Sequence, residues 1–158
     1  MNKKIKIVVC IIILIAIISL LTGFIINKVK EEGREYEIPE IKEYNYFVMQ
    51  ENDKYGVIDK NGKIIVEPDY ETVVIPNPEI QVFVCYSDNK GQLQINGEFI
   101  SNYDNIEAIR LKNIASELMY EKTVVKYQKE GKYGLLNLDG KQVTKPIYEE
   151  IDSLPYKE

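Results

Sequence analysis

The chain repeats itself, and that repetition restricts its fold more than any other feature. Lys54-Tyr55-Gly56-Val57-Ile58-Asp59-Lys60-Asn61-Gly62-Lys63 aligns without a gap to Lys132-Tyr133-Gly134-Leu135-Leu136-Asn137-Leu138-Asp139-Gly140-Lys141. The match resumes where Glu67-Pro68-Asp69-Tyr70-Glu71-Thr72-Val73 meets Lys145-Pro146-Ile147-Tyr148-Glu149-Glu150-Ile151. A worn copy lies between them. Lys90-Gly91-Gln92-Leu93-Gln94-Ile95-Asn96-Gly97-Glu98-Phe99-Ile100 keeps both glycines and, after a two-residue deletion, Tyr103-Asp104-Asn105-Ile106 supplies the ending. Gly56, Gly91 and Gly134 are therefore equivalent, at spacings of 35 and 43 residues.

Each unit reads as strand, turn, strand, tight turn and third strand. The units run over about 45–73, 81–106 and 122–151. Asn61-Gly62, Asn96-Gly97 and Asp139-Gly140 are hairpin signals, because a type I′ turn needs positive φ at both central residues. Gly56, Gly91 and Gly134, with Gly62, Gly97 and Gly140, are read as structural turn glycines. The leading strands are apolar or β-branched: Tyr46-Phe47-Val48-Met49, then Val82-Phe83-Val84-Cys85-Tyr86, then Thr123-Val124-Val125-Lys126-Tyr127. Pro68 and Pro146 should end the third strands, since proline cannot donate to a ladder. A lone hairpin is marginal in water, so the units must pack on one another.

The string Tyr-Gly-Val-Ile-Asp-Lys-Asn-Gly-Lys-Ile-Ile-Val-Glu-Pro-Asp-Tyr at 55–70 resembles the WG β-repeat, whose units normally begin Trp-Gly. Tyr55 and Tyr133 stand where that family has tryptophan, and Lys90 stands there in the middle unit. The resemblance spans 45–151 and implies an antiparallel β-repeat array, usually bacterial and often exported, with no catalytic residues to transfer. The fold class expected is an all-β antiparallel repeat array of three-stranded hairpin units, with one N-terminal transmembrane helix.

That helix is expected from the first thirty residues. After a basic tail at 1–6, residues 7–26 form an uncharged apolar run. Twenty residues at about 1.5 Å each span about 30 Å, the thickness of a bilayer's hydrocarbon core. No small-x-small cleavage site follows, so 7–27 is expected to be an uncleaved signal anchor in the lipid bilayer. The short basic tail predicts a cytoplasmic N-terminus and an exterior repeat domain. Residues 28–42, rich in Lys and Glu, read as a stalk. The stretch 106–122 is expected to finish a strand and then form a short helix capped by Asn113.

Composition narrows function. Residues 1–30 hold five lysines and no acid, leaving 15 basic against 25 acidic residues in 31–158, a net charge of −10. Such a domain repels nucleic acid. With no histidine there is no Ser-His-Asp or Cys-His pair and no imidazole zinc site. Cys10 falls in the anchor and Cys85 in an apolar strand, so no disulfide framework is expected. No catalytic, metal-binding or cofactor-binding residue is assigned, and no cofactor.

Twelve tyrosines are present, and Tyr55, Tyr70, Tyr103, Tyr133 and Tyr148 recur at equivalent points. They can stack between units as core, or serve as platforms for sugar rings or a peptide. The expected function is a membrane-anchored, extracytoplasmic module that binds or scaffolds a protein or cell-wall polymer. The alternatives are a wall-active enzyme using loop carboxylates (Glu67, Asp69, Glu71, Glu149, Glu150, Asp152) or a membrane-tethered cytoplasmic scaffold.

Overall fold

The computed structural model describes residues 40–111 and 119–153, with Ser19 alone outside them. The basic tail, the anchor at 7–27, nearly all of the stalk and the helix expected from Asn113 lie outside the described residues. Among those described, no helix is long and apolar enough to cross a membrane. The chain divides by its contacts into Met1–Glu37 and Ile38–Glu158, and the strands among the described residues belong to the second part.

Among the described residues, ten strands paired antiparallel make three sheets. The first contains β1 (Tyr46–Glu51), β2 (Lys54–Asp59) and β3 (Ile64–Tyr70), in that order. The second runs β4 (Thr72–Val74), β5 (Val82–Ser87), β6 (Lys90–Ile95) and β7 (Glu98–Phe99). The third runs β8 (Asn105–Arg110), β9 (Tyr120–Lys129) and β10 (Lys132–Asn137). Residues 40–111 and 119–153 are therefore all-β, built from antiparallel sheets of three or four strands.

Sheets and sequence repeats do not coincide. The segment after Tyr70 leaves its own unit and becomes β4, paired to β5 of the next sheet as Thr72↔Tyr86, Val73↔Cys85 and Val74↔Val84. The segment after Tyr103 does the same as β8, paired to β9 as Asn105↔Gln128, Ile106↔Tyr127 and Glu107↔Lys126. Each of the first two units thus lends a strand to its successor.

The expected turns are only partly as read. Two-residue turns with positive φ at both positions join the first two strands of every unit, at Asn52-Asp53, Asp88-Asn89 and Glu130-Gly131. Of the three Gly dipeptides singled out above, only Asn96-Gly97 has positive φ at both residues; Gly62 and Gly140 have it alone. There the loop is three residues long, closed by Asp59 N–H to Lys63 O and Asn137 N–H to Lys141 O, both 2.9 Å. The Asp59 carboxylate also accepts from the N–H of Asn61 and Lys63, and Asn137 Oδ1 from Lys141. These short side chains stabilise a turn ending in a left-handed glycine. In the middle unit the equivalent residue is Gln94, whose longer side chain is buried, and the loop contracts to two residues.

Pro68 does not end its strand but lies inside β3. The pairing of β2 with β3 slips from Ile58↔Ile64 through Val57↔Val66 to Tyr55↔Tyr70, so β3 bulges around Pro68 and its missing N–H faces no ladder position. The third unit repeats this slip, with bridges Leu136↔Gln142 and Tyr133↔Tyr148, but forms no continuous third strand. Gly56 and Gly134 sit under these bulges. A Cβ on Gly56 would lie 2.4 Å from Val66 O, and one on Gly134 would lie 2.8 Å from Thr144 O. Gly91 faces Ile106 O of β8 at 1.9 Å. Glycine at these three positions answers a close backbone approach, not a turn.

The sheets stack, and the alternation of β5 shows how. Val82 and Val84 point into one buried cluster with Leu93, Ile106, Val125 and Leu136. Phe83 and Cys85 point into the other, with Val57, Val66 and Val73. The middle sheet is covered on both faces, which explains why β5 is apolar at consecutive positions instead of alternate ones.

Candidate functional site

Four of the five recurring tyrosines form two cross-strand pairs. Tyr55 lies opposite Tyr70, and Tyr133 opposite Tyr148 through reciprocal backbone bonds of 2.8 and 3.2 Å. Tyr55, Tyr70, Tyr103 and Tyr133 are half-buried, and Tyr148 is exposed. They are not aligned in one row. Tyr70 packs on the cluster that holds Cys85, and Tyr103 packs on Tyr127 with ring centroids 4.4 Å apart. The tyrosine ending a unit therefore crosses to the leading strand of the next sheet.

Tyr103 and Tyr127 form the aromatic part of a pocket of about 490 Å³, lined further by Asn102, Lys129, Glu130, Lys132, Gln142 and Pro146. The Tyr127 hydroxyl donates to Thr144 O at 3.0 Å and accepts from Gln142 Nε2 at 2.7 Å. Burial pushes its pKa upward. Asp104 Oδ2 accepts from Glu130 N–H at 2.7 Å, which pins the β9–β10 turn against the tail of the middle unit. Lys132 pairs with Glu149 at 2.8 Å on the rim. The pocket thus has stacked rings on its floor and charged groups at its edge.

Tyr127 was not singled out in the sequence, nor were Gln142, Lys129 and Lys132. Aligning the leading strands would have flagged Tyr127, because it is equivalent to Met49 and to Cys85, which faces the preceding sheet. The carboxylates considered for hydrolysis are spread along the tails and edges. Glu67, Asp69, Glu71, Glu149 and Glu150 are exposed, and Glu149 is held by Lys132. No group of three His, Cys, Asp or Glu that could hold a metal ion occurs among the described residues.

Two segments, 55–75 and 133–157, match the family model of the WG containing repeat. They begin at equivalent tyrosines and cover the glycine, the bulge and the tail of the first and third units. These segments are WG containing repeats. A search of curated proteins and of solved structures gives no match. In the WG containing repeats of this chain the tyrosine at the Trp position is itself a strand residue. Tyr133 lies below Lys126 Nζ, 5.2 Å from its ring centroid.

Proposed function

We propose that the chain is a membrane-anchored binding or scaffolding module. In this reading residues 7–27 are a signal anchor, the N-terminus is cytoplasmic and the repeats face outward toward the wall of a bacterial cell. The observation that carries the binding role is the pocket floored by Tyr103 and Tyr127. The half-buried Tyr103, backed by the buried Tyr127, offers an apolar ring to a sugar, while Asn102 and the two lysines offer donors and Gln142 its Oε1 at the rim. A cell-wall polymer presents both features.

With no tryptophan, emission comes from the twelve tyrosines, of which Tyr103 and Tyr127 line this site. Soluble peptidoglycan fragments are titrated into the full chain in mild detergent. The expected result is a saturable change in emission that Asn102→Ala and Gln142→Ala weaken. No saturable change, or a change in both variants equal to that of the wild-type chain, overturns the pocket as the binding site.

A further inference from the structure

Two internal joints share one pattern, and each outer end of the stack carries half of it. At the first joint, Glu71 N–H donates to Tyr86 O at 2.9 Å and β4 pairs along β5. At the second, Asp104 N–H donates to Gln128 O at 2.9 Å and β8 pairs along β9. The equivalent strand of the first sheet is β1, and Gln50 holds the position of Tyr86 and Gln128. Among the described residues no strand pairs with the outer edge of β1. The equivalent tail follows Tyr148, and residues 149–153 join no sheet among the described residues.

Burial reports the same deficit. Val82, Phe83, Val84 and Cys85 of β5 are at most 4% exposed, and Val125 and Tyr127 of β9 at most 1%. Their counterparts Phe47 and Val48 on β1 are 43% and 44% exposed. At the other end Val143, Ile147 and Tyr148 are 44–63% exposed, and Ile151 is half-buried where its counterparts Val73 and Ile106 are buried. An apolar edge strand left open is a template for another strand.

We infer that the repeats assemble head to tail, the segment 149–152 of one copy adding to the outer edge of β1 of a second copy. The internal joints fix the register: Glu150 opposite Gln50, Ile151 opposite Met49 and Asp152 opposite Val48, with Glu149 N–H donating to Gln50 O. Tyr148 then packs on Met49 as Tyr103 packs on Tyr127. Phe47 becomes buried against the last sheet of the neighbour, as Phe83 is against the first sheet within the chain. The contact is heterologous, so it propagates into a ring or a filament and does not stop at a symmetric dimer.

Cysteine pairing tests the register in the full chain purified in mild detergent. The β1–β2 turn makes Met49 a hydrogen-bonded partner of Gly56, so its outward-facing pairing is of the non-hydrogen-bonded type, with Cα atoms close enough for a disulfide. A Met49→Cys chain mixed with an Ile151→Cys chain should form a mixed disulfide under mild oxidation. A Lys60→Cys chain mixed with the same partner should not. Two variants test the contact without the cross-link, read by sedimentation. Val48→Pro removes an N–H that points away from β2, so β1 stays paired while assembly is lost. Ile151→Asp places a charge where the joint needs an apolar side chain, leaves β1 untouched and also abolishes assembly. The inference is overturned if the wild-type chain sediments as a monomer at all concentrations or the two pairs cross-link equally. Assembly of Ile151→Asp like wild type overturns it as well.

Discussion

The hydroxyl of Tyr86 accepts a hydrogen bond from Ala108 N–H at 2.9 Å, a link from β5 in the second sheet to β8 in the third. Ala108 lies opposite Val125 on β9, so this one phenol ties the middle sheet to the strand it lends away. Tyr86→Phe keeps the ring and leaves the Ala108 N–H without its acceptor. The expected loss is about 1–3 kcal/mol, the cost of a partly buried donor left unpaired. Urea unfolding of Tyr86→Phe checks it, and an unchanged midpoint would remove this bond from the account of the joint.

Alkaline pH should act on the same place. Burial pushes the Cys85 thiol to about 12 from an ordinary 9.0, and the Tyr86 phenol to about 12 from 10.0. Both groups are neutral when protonated, so the folded state holds its protons at pH values where the unfolded chain has released them. Their contribution is intact below pH 9, and stability falls as pH rises from there toward 12. Each group lowers it by at most about 1.4 kcal/mol per pH unit inside its own window. Thermal melts between pH 8 and 11 read the slope. Cys85→Ser should flatten the onset near pH 9, because serine does not titrate there. Melting temperatures that rise over that interval would contradict the assignment.

Two glycines separate crowding from backbone strain. At Gly91 a Cβ would lie 1.9 Å from Ile106 O, which is backbone and cannot swing aside. At Gly97 a Cβ meets nothing within 4 Å, but φ is +89°. Gly91→Ala should therefore cost about 3 kcal/mol or more, through displacement of β8. Gly97→Ala should cost about 1–2 kcal/mol, the ordinary penalty of a left-handed alanine. Denaturant midpoints of the two variants rank them, and the reverse order would rule out close approach as the reason for Gly91.

The strands were legible in the chain because their cues are local. Apolar runs such as Val82-Phe83-Val84-Cys85-Tyr86 have β-branched and aromatic residues bounded by turn residues, and strand β5 follows them. What could not be read is which sheet a strand joins. The tail after Tyr70 has the same pattern whether it pairs within its own unit or crosses to β5, and only packing of Val73 against Phe83 and Cys85 decides. The turns failed for a different reason. Asn61-Gly62 and Asn96-Gly97 are the same dipeptide, yet the residue two places earlier, Asp59 or Gln94, selects between a three-residue and a two-residue loop. The pocket was half visible: Tyr103 recurs in register, whereas Tyr127 enters from the leading strand of another unit.

Tyr127 offers the sharpest separation of fold from pocket. Its ring is 1% exposed and packs on Tyr103, while its hydroxyl joins Thr144 O and Gln142 Nε2. Tyr127→Phe keeps the ring contact and removes both bonds, leaving Gln142 Nε2 its second bond, to Thr144 O at 3.1 Å. The expected loss of stability is about 1–2 kcal/mol, since Thr144 O still accepts from Gln142 Nε2. Tyr127→Ala removes the ring as well and should cost about 3–5 kcal/mol, the range for deleting a buried aromatic side chain. Calorimetric melts of the two variants give the difference. Equal losses would mean that the hydroxyl network, and not the ring stack, holds the second joint together.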